Sequence, residues 1–176
     1  MSIIRRALML TGGALIAAAA IIPATGSSVS AADVDDTWVV TVSGTWTQVV
    51  DDDSTIFGSS FEYAAPVSFT RIFYVSRLVP QTHYGPIWSG CAGGEVTAEV
   101  HPSISHASGY VVARIGSLRL HEGYSCNSND VDGLRETNAV MMADGASYTK
   151  TYTVGNTSEG GLDSATLFVR IDARRL

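Results

Sequence analysis

From Thr37 onward, apolar and polar residues alternate with a period of two. Trp38, Val40, Val42 and Trp46 oppose Thr41, Ser43, Thr45 and Thr47, the pattern of a strand with one wet face, here a long one bent at Gly44. A second run from Val67 to Val79 sets Val67, Phe69, Phe73 and Val75 against Ser68, Thr70, Tyr74 and Ser76, bounded by Pro66 and Pro80. Val96, Ala98 and Val100 alternate with Thr97, Glu99 and His101. After Tyr110 the inward set is Val111, Ala113 and Ile115. Beyond Gly116 the apolar residues Leu118 and Leu120 fall one position out of phase, which a bulge or sheet-switching bend at Gly116-Ser117 would correct, two short strands joined by a turn being the alternative. Thr137 to Met142 is short and ambiguous. Asp144-Gly145 reads as a turn able to close a hairpin with Tyr148, Lys150, Tyr152 and Val154. Leu167, Val169, Ile171 and Ala173 mark a final antiparallel strand near an edge.

Nothing after residue 32 keeps a helical apolar period, so the chain reads as all-β. Seven to nine strands separated by Gly, Ser, Asn and Asp turns predict a two-sheet antiparallel β-sandwich, immunoglobulin-like or jelly-roll-like, with a closed β-barrel as the alternative.

The opening segment follows a different pattern. Arg5 and Arg6 precede an apolar stretch from Ala7 to Ile22, and small and polar residues follow to Ala32, with Val29 and Ala31 placed for a small-residue cleavage site. This is the order of a secretory signal peptide. We expect residues 1–31 to be removed and 32–176 to form one secreted domain, extracellular or periplasmic, with no stable membrane insertion. The apolar run is shorter than a membrane span requires and contains Gly12 and Gly13. No cysteine near the cleavage site offers a lipid anchor. Ten arginines against one lysine suit a bacterium with G+C-rich codons.

Loss of Arg5 and Arg6 shifts the formal net charge from −6 to −8, which disfavours nucleic acid and anionic lipid as partners. Cys91 and Cys126 are the only cysteines, and an even count in an exported chain predicts one disulfide.

Candidate chemistry is sparse. Asp51 and Asp53 in one acidic loop, and Asp130 and Asp132 in another, carry oxygen ligands of the kind calcium takes, although Ala139 stands where a calcium loop would place its bidentate glutamate. No other cofactor is implied. His83, His101, His106 and His121 lack zinc-site spacing, and the mature chain has neither a G-x-S-x-G elbow nor an S-x-x-K pair. No catalytic residue is assigned. The most suggestive stretch is the turn-rich His83–Cys91, where Tyr84 and Trp88 sit on a disulfide-braced loop; with the loop around Cys126 they form the candidate ligand-binding surface. The expected function is non-enzymatic binding of an extracellular protein or a glycan. A secreted proteinase inhibitor and an extracellular hydrolase are the alternatives.

Overall fold

The computed structural model describes residues 36–55, 58–156 and 162–176, and the expected leader lies outside them. The described chain is all-β and holds thirteen strands, more than the alternation alone suggests, because several are only two to four residues long. They are β1 (Trp38–Thr55), β2 (Gly58–Tyr63), β3 (Val67–Val75), β4 (Gln81–His83), β5 (Ile87–Trp88), β6 (Thr97–Val100), β7 (Ser103–Ala107), β8 (Tyr110–Arg114), β9 (Leu118–His121), β10 (Val131–Arg135), β11 (Val140–Met142), β12 (Ser147–Gly155) and β13 (Ser164–Arg175). No helix among the described residues is long and apolar enough to cross a membrane.

Three antiparallel sheets form, and none closes into a barrel. The largest runs β12-β13-β1-β2, with β3 pairing β1 alongside β2. Facing it, β11-β8-β7-β4 and β10-β9-β6-β5 behave as two halves of one bent layer, because β6 leads into β7 and β8 into β9. The register shows how the bend is made. Val100 pairs with Leu118 and Ser103 with Arg114, so two residues on one strand oppose three on the other. The extra residue falls at Gly116-Ser117, where the chain passes from the sheet of β8 to that of β9, so of the readings of this segment the sheet-switching bend between two short strands is the one observed. Gly116 adopts φ +87°, and a side chain there would collide with the His101 carbonyl, so only glycine fits without strain. The bend returns Leu118 and Leu120 to the core beside Val111 and Ala113.

Between the layers lie Trp38, Val40, Val42, Trp46, Phe73, Leu118, Leu120, Leu167 and Ile171, all almost wholly buried. Packing at this density makes the layers stable despite short strands. β1 is not bent at Gly44: its pairing with β13 and β3 runs through that residue, and the irregularity falls between Trp46 and Gln48. Gly44 instead makes room for the Phe69 ring, which a side chain there would strike. β13 is antiparallel and one strand in from the edge, as its one-sided alternation suggests.

Asp144-Gly145 does turn the chain, with Gly145 at φ +72°, but it does not close a hairpin. β11 pairs β8, whereas β12 pairs β13, so the turn passes the chain from one layer to the other. The apolar side of β12, with Tyr152 and Val154 buried, is satisfied by β13 and the core rather than by its sequence neighbour.

The two ends of the domain are tied together. Asp36 accepts hydrogen bonds from Trp38 Nε1 (3.0 Å) and His106 Nε2 (2.8 Å), and Arg175 Nε lies 3.2 Å away. Burial pushes the Asp36 carboxyl up, but the hydrogen bonds from His106 and Trp38 and the charge of Arg175 outweigh it, leaving the group below its ordinary range. A depressed carboxylate contributes stability that is fully present above its unfolded value and fades as pH falls through the folded one. Melts between pH 3 and 6 should therefore show the wild type losing stability faster than Asp36→Asn below about pH 4. Parallel curves would assign the acid sensitivity elsewhere, Asp172 being the next group, lowered by its hydrogen bonds with Arg170 and Ser147.

Candidate functional site

The stretch from His83 to Cys91 is more ordered than a turn-rich loop. Ile87 pairs with Val100 and Trp88 with Glu99, which makes β5 a short edge strand on β6. Ser89 fastens the end of it: its amide donates to the Ala98 carbonyl and its hydroxyl accepts from the Ala98 amide, each at 2.8 Å. The chain then makes a tight reversal in which the Ala92 and Val96 amides each donate to the other's carbonyl, through Gly93 (φ +59°) and Gly94 (φ +89°). Cys91, at the start of this reversal, is disulfide-bonded to Cys126 in the β9–β10 connection.

That bond holds the connection over the outward side of β6. Alternation predicts Thr97 and Glu99 to be solvated, yet they are only 5% and 4% exposed, so β6 is buried on both faces. Opposite Thr97, His121 is buried too, its ring centroid 5.2 Å from that of Trp88. Glu99 is the hub of this patch: Oε1 lies 3.2 Å from His121 Nε2 and 3.4 Å from Arg119 NH1, and Oε2 lies 3.0 Å from His101 Nε2.

Above the patch is a cup of about 440 Å³ lined by Trp88, Ser89, Thr97, Asn127, Ser128, Asn129 and the two cysteines. Among the described residues no charged side chain lines it. Trp88 is 42% exposed, so the indole is not tucked beneath the loop as satellite core; one part covers His121 and the rest forms the wall. The Thr97 hydroxyl is buried at the cup and has no hydrogen-bond partner among the described residues. A buried, unpaired hydroxyl costs about 1 to 3 kcal/mol unless something else satisfies it. The rim is fixed by Ser128, whose amide donates to the Ser125 carbonyl (2.9 Å) and whose hydroxyl accepts from the Asp130 amide (3.1 Å).

Of the two aromatics singled out in the sequence, the structure brings only Trp88 to the cup with the Cys126 loop. Tyr84 packs edge-on against Phe73 (5.6 Å) beneath the Arg71 guanidinium (5.0 Å), closing the sandwich margin instead. Thr97, His121, Asn127 and Asn129 carry no local signature that would single them out.

The structure places the acidic residues of the two segments in separate regions. Asp51 is a buried residue of β1 whose carboxylate lies against Gly93, where any side chain would collide with it. Asp53 lies in the same strand, paired with Ser60. Asp130 and Asp132 share a separate cleft with Glu95 and Glu122. Among the described residues no group of three or more His, Cys, Asp or Glu side chains is arranged to hold a metal ion. Compared with known protein families, curated proteins and solved structures, the chain matches none.

Proposed function

We propose that the protein is an exported, non-enzymatic binding module whose cup takes an uncharged saccharide ring. The observation that carries this reading is a partly exposed indole, Trp88, walling a cup that also holds a buried hydroxyl, that of Thr97, without a partner among the described residues. A sugar presents one apolar face and a rim of hydroxyl groups. An indole supplies wide, rigid apolar contact for the first. Thr97, Asn127, Ser128 and Asn129 supply neutral donors and acceptors for the second. The volume falls within the range of small-ligand sites. An apolar side chain from a protein partner would leave those polar groups unpaired, which favours glycan over protein.

Export is part of the same proposal. It is supported by the leader pattern of residues 1–31 and by the Cys91–Cys126 disulfide, which persists in oxidising compartments. A proteinase inhibitor would present a free loop to the enzyme, but residues 87–89 already commit backbone groups to β6.

Calorimetric titration with a panel of oligosaccharides tests the reading. At least one should bind the wild type, with Trp88→Ala and Thr97→Val each weakening it by about tenfold or more. Binding that survives both substitutions would place the ligand away from the cup.

A further inference from the structure

Resting on the cup reading, we infer that the glycan is acidic, with one ring in the cup and carboxylates of neighbouring units met by Arg119 and Arg114. The register of the bent layer supports this. Trp88, Glu99 and Arg119 form one outward row across β5, β6 and β9, and His83, Ser103 and Arg114 form another across β4, β7 and β8. His101 lies between the rows, in the link from β6 to β7, 40% exposed at its side chain. With strands spaced about 4.8 Å apart, Arg119 stands roughly 10 Å from Trp88, the reach of one disaccharide unit.

Two arginines, Arg119 and Arg114, stand at outward positions of this face in a chain whose net charge is negative. At the outward register positions of β4 to β9 the only carboxylate is Glu99, and it is buried beneath its own partners. Glu99 steadies Arg119 from below while leaving the guanidinium side chain 45% exposed. A guanidinium meets a carboxylate through two parallel hydrogen bonds, a geometry that a neutral sugar cannot exploit.

The test uses oligosaccharides in which uronate and neutral units alternate, hyaluronan and unsulfated chondroitin oligomers, each beside its carboxyl-reduced counterpart, in which every carboxylate has become a primary alcohol. At least one acidic form should bind about tenfold more tightly than its reduced counterpart, more weakly as salt is raised. Arg119→Gln should remove that preference, and Arg114→Gln, which leaves the Glu99 cluster intact, should reduce it. Equal affinity for acidic and reduced forms, with both arginine variants unchanged, overturns the inference while leaving the cup reading standing. Loss of all binding in Trp88→Ala alongside a retained acidic preference in Arg119→Gln also overturns it. Failure of every acidic oligosaccharide to bind, when a neutral one does, has the same meaning.

Discussion

Serine at both Cys91 and Cys126 is expected to lower the unfolding free energy by about 3 to 4 kcal/mol and the melting temperature by roughly 10 °C. The two residues are separated by 35 positions, so the cross-link removes a sizeable loop-closure entropy from the unfolded chain. Its effect is not confined to the unfolded state. The β9–β10 connection supplies Asn127, Ser128 and Asn129 to the cup and covers Thr97, and the disulfide ties it to the Ala92–Val96 reversal. Without the bond, the core of Trp38, Trp46 and Leu167 remains packed, whereas the rim can lift from β6. Saccharide binding should therefore fall further than global stability, and reduction of the wild type should reproduce both effects. Thermal melts and titrations of the double variant check this; an unchanged melting temperature with intact binding would show that the connection is held by other contacts.

The second large effect is expected at Gly116. Valine there must adopt a backbone conformation that β-branched residues almost never populate, and its side chain would meet the His101 carbonyl. The cost should be about 2 to 4 kcal/mol, combining backbone strain with overpacking. Relief of that strain by deleting the extra residue would turn Leu118 and Leu120 outward, since a one-residue slip exchanges the two faces of a strand. Gly85→Ala is the matched control: Gly85 has open space around it and no left-handed backbone, so a change under about 0.5 kcal/mol is expected. Comparable losses in the two variants, measured by urea unfolding, would remove the bend from the account.

These two residues also illustrate what could be read from the sequence. The phase slip between Ile115 and Leu118 is a local signal, and it located the bend because the side-chain period of a strand leaves few ways to restore the inward set. The core members Trp38, Phe73, Val100 and Ile171 were legible for the same reason. Pairing partners were not. The turn at Asp144-Gly145 is chemically suited to a hairpin, and only the competition between β8 and β13 for the flanking segments determines that it changes layers instead. The candidate site divides in the same way. Trp88 and the disulfide stood out because an aromatic beside paired cysteines is visible in one dimension. Thr97 and Glu99 occupy polar positions in an alternating strand and read as solvated. Thr97 is covered by the Cys126 connection and Glu99 by His101, Arg119 and His121, contacts that no spacing reveals. Tyr84 was equally conspicuous but is engaged by Phe73 and Arg71.

The three tryptophans allow the central proposal to be tested without a label. Trp38 and Trp46 are fully buried, and only Trp88 is open to solvent. Iodide, a charged quencher that does not enter protein cores, should quench the Trp88 share of the emission and leave the remainder untouched. Saturation with a bound oligosaccharide should abolish that quenching in the wild type, and Trp88→Phe should show no iodide-sensitive emission with or without the sugar. Iodide quenching of Trp88 that persists at a saturating concentration of a bound saccharide would contradict the account, because the ring would then lie somewhere other than against the indole.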